Sequence, residues 1–160
     1  MKRILLTALL AFCLTPLLAQ NNSFYQKYSK TEGITKVYIS RSLLSLFGNS
    51  SSVDVGTDRV DISQVASKLS GIYVLSTERP DVAQAMKKDF DRLLKDGNFE
   101  LLMEVDDAQD HCVIYLSRDG KFVRDLYLCA RDDNEFSIIQ ITGEMTQEDL
   151  NRIVKMGQED

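Results

Sequence analysis

At Gly97 the apolar period of this chain changes from that of a helix to that of a strand, and it changes back only at Thr146. Upstream, Val82, Met86, Phe90 and the Leu93-Leu94 pair recur at intervals of four and three residues behind Pro80, whose fixed φ suits the first turn of a helix. Gly97 is the stop. Downstream, Phe99, Leu101, Met103 and Val105 alternate, then Cys112, Ile114 and Leu116, then Leu126 and Leu128 around Tyr127. A last run offers Phe136, Ile138 and Gln140 on one face or Ile139 and Ile141 on the other. The short connections between these runs make them an antiparallel meander of four strands.

The N-terminal half supplies the rest of the fold. Phe24, Tyr25 and Tyr28 have the spacing of a short amphipathic helical turn ended by Gly33, and Ile34 to Ile39 is a β-branched and aromatic strand. Leu43, Leu44, Leu46 and Phe47 form a helical stripe that stops at Gly48, and such a stripe ordinarily faces a core. Gly48 to Asp58 is loop by composition and is expected to be disordered. Asp61 with Gln64 and Val60 with Val65 suggest a capped helix closed at Gly71, with Ile62, Val65 and Leu69 inward, followed by a short interior strand Ile72 to Leu75. At the end of the chain Thr146 caps a helix with Asp149 as its acidic partner, and Met145 and Leu150 form a hydrophobic staple. The expected fold is α+β: a single antiparallel sheet of the four-strand meander plus one or two N-terminal strands, with helices packed on one face.

The first nineteen residues have another purpose. Lys2 and Arg3 precede an apolar stretch from Ile4 to Leu18, and the small Ala19 before Gln20 offers a cleavage point. That stretch is short of the roughly 20 residues a membrane span requires. Residues 1–19 are therefore expected to be a signal peptide and 20–160 a single domain, periplasmic or otherwise in the cell envelope, with no transmembrane segment in the mature chain. Cys13 is followed by further apolar residues and goes with the leader. Cleavage takes the formal charge from −5 to −7. Such a surface repels nucleic acid, whose binding relies on Lys and Arg facing phosphate. No basic patch is evident, since Lys87-Lys88 is followed by Asp89 and Asp91.

Two cysteines, Cys112 and Cys129, remain. With Asp119-Gly120 as a two-residue hairpin turn, Arg118 pairs with Lys121, Cys112 faces Tyr127, and Cys129 sits one diagonal step away on the same face. Diagonal neighbours are about 7–8 Å apart, too far for an unstrained bridge. A bulge shifting the register by two would set them opposite each other, so both a disulfide and two free thiols stay open, with the geometry favouring free thiols.

Catalytic chemistry has little to work with. Nucleophilic catalysis needs a hydroxyl or thiol beside a base, and the one histidine, His111, is adjacent to Cys112 on a strand, where neighbours point to opposite faces. Asp106, Asp107 and Asp110 in one meander loop and Asp132, Asp133 and Glu135 in another fall at the same end of the sheet, an oxygen-rich grouping of the kind calcium favours. The loops lack the spacing of a recognised calcium site, and Asp populates turns for its own backbone bonding. No catalytic, metal or cofactor residues are assigned.

The order and spacing of Tyr28-Ser29, Gly33-Ile34-Thr35, Val37 to Ser40, Ile72 to Leu75 and Gly143 to Leu150 resemble the domain-of-unknown-function family 4252, small exported proteins of Bacteroidetes. The resemblance covers most of the mature chain. It implies an envelope location and a shared fold, and it supplies no activity. The sequence-level reading is a non-enzymatic envelope module that binds a protein partner. A small-ligand carrier and an enzyme of undetected type are the alternatives.

Overall fold

The computed structural model describes residues 23–48, 53–55, 58–60, 63–107 and 110–156. Its elements run α1 (Ser23–Tyr28), β1 (Thr35–Ser40), α2 (Arg41–Gly48), β2 (Val53–Val55), β3 (Asp58–Val60), α3 (Ser63–Ala66), β4 (Leu69–Thr77), α4 (Pro80–Asp96), β5 (Phe99–Asp106), β6 (His111–Asp119), β7 (Phe122–Arg131), β8 (Phe136–Met145) and α5 (Gln147–Met156). Six strands form one sheet in the order β1-β4-β8-β7-β6-β5, every neighbouring pair antiparallel. The α+β class and the meander hold, and both N-terminal strands join the sheet, β4 at its interior and β1 at its edge.

Helices pack on both faces of the sheet, not on one. Phe24 and Tyr28 of α1 and Val82, Met86 and Phe90 of α4 bury Leu75, Val113, Tyr127, Cys129, Phe136 and Ile138. Leu44 of α2, Val65 of α3 and Leu150 of α5 cover Leu69, Leu116, Val123, Leu126 and Met145, with Ile39, Ile72, Ile114 and Ile141 beside them. The reason lies in β8, whose Phe136 and Ile138 point one way while Ile141 points the other, so cover on one side would leave an apolar row in water. In the helix stripe Leu44 is buried, while Leu43 and Leu46 are exposed.

Three local expectations are corrected. Within Gly48 to Asp58, strand β2 pairs with β3 as a separate two-stranded ribbon. The helix before Gly71 is a single turn, and β4 already begins at Leu69, with a bulge between Leu69 and Gly71; the cap proposed at Asp61 lies outside the described residues. Opposite that bulge, a Cβ at Gly143 would lie 2.7 Å from the Lys68 carbonyl, so only glycine lets the two backbones approach this closely.

The β6–β7 hairpin turns one residue later than expected. Asp119 pairs with Phe122, and Gly120, at φ 60°, takes the left-handed turn position. A bulge between Ser117 and Arg118 then moves the register again, so Cys112 faces Ala130 and Cys129 faces Val113. Paired residues share a face and neighbours alternate, so the two cysteines lie on opposite faces of the sheet and both are free. A bulge at Leu101/Met103 likewise splits the alternation expected on β5: Phe99 and Leu101 follow the α4 face, and Met103 and Val105 the other.

The C-terminal helix starts as its sequence dictates. The Thr146 N–H donates to Asp149 Oδ2 at 2.7 Å, the Asp149 N–H donates back to Thr146 Oγ1 at 3.3 Å, and Met145 and Leu150 are both buried. Lys68 adds what the sequence did not show, donating to both Asp149 oxygens at 2.8 Å. Among the described residues no helix is long and apolar enough to cross a membrane.

Candidate functional site

Helix α4 lies across the sheet with Val82, Met86 and Phe90 inward, and its next ridge stands away from the strands. Between that ridge and β6, β7 and β8 runs a groove of about 820 Å³. Ala83, Gln84, Lys87, Lys88, Asp91, Arg92 and Lys95 form one wall; His111, Cys129, Arg131 and Phe136 face them. The strand residues belong together by register, since His111 pairs with Arg131 and Arg131 with Phe136.

The groove is apolar at its floor, where Ala83, Cys129 and Phe136 lie, and cationic at its rim. Lys87, Lys88, Arg92, Lys95 and Arg131 line it against a single carboxylate, Asp91, in a chain whose formal charge is −5. Lys87 Nζ donates to both oxygens of Asp91, at 2.6 and 2.7 Å. Asp89, which in sequence neutralises this cluster, turns toward α1 instead: Lys27 and the Tyr28 hydroxyl, at 2.5 Å, both donate to it, and Arg92 stands 3.4 Å from its other oxygen. These donors hold the Asp89 carboxyl below the usual carboxylate range. Lys88, Lys95 and Arg131 have no carboxylate partner among the described residues.

Reactive groups within the groove are restrained. Burial pushes the Cys129 thiol up to about 12, so it is protonated and a poor nucleophile at neutral pH. His111 sits at the rim with its Nδ1 3.2 Å from Asp106 Oδ1, and Cys112 is on the opposite face of the sheet, as adjacent strand residues must be. His111 is half-buried.

The acidic loops do lie at the same end of the sheet, but their carboxylates hold the turns. Asp132 Oδ1 accepts the N–H groups of Asn134 and Glu135, both at 2.7 Å, which lower its pKa. Asp107 Oδ1 accepts the Asp110 N–H at 3.3 Å. Among the described residues, no three His, Cys, Asp or Glu side chains converge as a metal site. Asp132, Asp133 and Glu135 border a second hollow that shares Pro80, Ala83, Arg131 and Phe136 with the groove, so an acidic hollow adjoins the basic groove along α4.

The basic rim contradicts the expectation of no basic patch, and part of its signal was present. Lys88, Arg92 and Lys95 are spaced four and three apart, one face of a helix, whereas Asp89 lies a hundred degrees around. Arg131 and His111 come from strands that no local pattern joins to α4.

Comparison with characterised proteins and with solved structures returned no match. The family model for the domain of unknown function DUF4252 matches residues 28–153, a span that runs from the end of α1 into α5 and takes in the whole sheet, and the chain belongs to that family.

Proposed function

We propose that this protein is an exported binding module whose groove seats a small amphiphilic anion, a carboxylate or phosphate head on an apolar body. The observation that carries the reading is the lining itself: an apolar floor of Ala83, Cys129 and Phe136 beneath five cations, within a chain of net negative charge. A headgroup beside Lys88, Lys95 and Arg131 would be held by charge-assisted hydrogen bonds, while the floor takes the apolar part. The volume lies in the range of small-molecule sites, roughly 300–1,000 Å³. A concave seat of this size suits one small ligand better than a protein surface, so the carrier reading is preferred at this site over the protein partner. Binding rather than catalysis is supported by the protonated Cys129 thiol, the sulfur that lies on the groove floor.

Calorimetric titration tests the seat. Laurate and dodecyl phosphate are expected to bind, with dodecanol weaker by about tenfold or more, since the lost charge contact is worth at least about 1.4 kcal/mol. Lys88→Glu combined with Arg131→Glu should weaken laurate by a similar factor without changing the melting temperature. Equal binding of dodecanol and laurate, or no binding of either anion, overturns the reading.

Export is supported by the charged, apolar and small-residue order of residues 1–19. Mass spectrometry of the protein recovered from the envelope fraction is expected to find Gln20 at the N-terminus. An intact Met1 there would refute cleavage.

A further inference from the structure

We propose that copies of this chain add to one another edge to edge, β1 of one copy pairing with β5 of the next, so that the sheet continues from molecule to molecule. Among the described residues no strand pairs with the outer edge of β1 or of β5, and the bulge at Leu101/Met103 leaves the stretch Met103 to Asp106 regular. All four residues from Thr35 to Tyr38 are exposed on β1, as are Glu100 to Asp106 on β5, including Leu101, Leu102, Met103 and Val105. Neither strand carries a proline, and β5 carries no lysine, two of the residues that usually blunt an edge.

Direction and face both permit the addition. Six strands alternate in direction, so β1 and β5 at the two edges run antiparallel. A second copy placed beside the first in the same orientation therefore brings its β1 antiparallel to β5, with like faces of the two sheets level. The pairings Val37–Val74, Val74–Ile139, Ile139–Leu128, Leu128–Ile114 and Ile114–Met103 form one apolar row from edge to edge. Val37 of the next copy would follow Met103 in that row.

Charge then separates this pairing from its competitors. On the α4 face β5 presents Glu104 and Asp106, because Glu104 pairs with Val113 and Asp106 with His111; on the same face β1 presents Lys36, paired with Leu75. Register can shift only in steps of two without exchanging the faces. Aligning Val37 with Met103 sets Lys36 opposite Glu104, and the next register toward the end of β5 sets it opposite Asp106. A symmetric β5–β5 pair would instead oppose carboxylates, and like charges directly across strands are destabilising. The β5 edge thus repels itself and complements β1. Such a contact is head-to-tail, so it grows a chain rather than closing a dimer.

Sedimentation of the purified protein from about 10 μM to about 1 mM, the range in which weak contacts register, is expected to show mass rising beyond dimer and falling again with added salt. Lys36→Glu alone, and Glu104→Lys with Asp106→Lys, should each remain monomeric. An equimolar mixture of the two variants should associate again, because each supplies the charge the other needs. Circular dichroism of each variant checks its fold, and the wild-type profile stands without them. A wild-type protein monomeric throughout, a species that stops at dimer, or association unchanged in Lys36→Glu overturns the proposal. Association with an added basic strand peptide but not with itself would assign the edge to another partner.

Discussion

Phe90→Ala is expected to lower the unfolding free energy by about 3–5 kcal/mol, the cost of deleting a buried aromatic side chain and leaving its cavity. Phe90 is 1% exposed and touches three rings from three elements: Phe24 of α1 at 6.1 Å, Tyr115 of β6 at 6.2 Å and Tyr127 of β7 at 5.7 Å. It therefore ties the long helix and the short N-terminal helix to the middle of the meander. These neighbours are rigid rings on three separate elements, so they have little freedom to collapse into the space. Denaturant unfolding measures the effect as a shift in midpoint at unchanged slope. A loss under about 1 kcal/mol would mean that α4 is not packed on the sheet as described.

Asp149→Ala is expected to cost about 2–3 kcal/mol, although the residue sits near the end of the chain. Its carboxylate is 3% exposed and accepts from the Thr146 N–H and hydroxyl, both at 2.7 Å, and from Lys68 at 2.8 Å. Most of the loss comes from the cap and the buried hydrogen bonds. Lys68 is 39% exposed, so solvent screens its share. Burial works to raise the Asp149 pKa, but Lys68 and the two Thr146 donors together outweigh it and hold the carboxyl below its ordinary value. A carboxyl depressed in the folded state contributes stability that is full above the unfolded value near 3.9 and is lost as pH falls through the folded value. Wild-type stability should therefore drop below about pH 4, and Asp149→Ala should flatten that drop. Urea midpoints taken at intervals across the acid range decide it. Parallel pH profiles for the two proteins would show that Asp149 titrates normally.

How much was legible follows the range of each interaction. The helix from Pro80 to Asp96, the α5 cap and staple, and four strands beyond Gly97 were readable because a few neighbouring residues set each of them. Register was not. One turn displaced by a residue and one bulge at Ser117/Arg118 moved Cys112 from Tyr127 to Ala130, and neither carries a distinctive local sequence. The candidate site was half legible. Lys88, Arg92 and Lys95 share a helical face, but along the chain Asp89 and Asp91 interrupt them and mask the cluster.

By itself the sequence determined where the period changes, which residues cap and stop the helices, and that a four-strand meander and one or two N-terminal strands must find one another. Those are matters of local sterics and hydrogen bonding, settled within a turn or a hairpin. Only the tertiary structure decided that helices cover both faces, that Asp89 leaves the groove for Tyr28 while Arg131 enters it, and that the two outer edges carry opposite charge. Each of these depends on which distant strands lie side by side, and that is fixed by burying both faces of the sheet together rather than by any one segment.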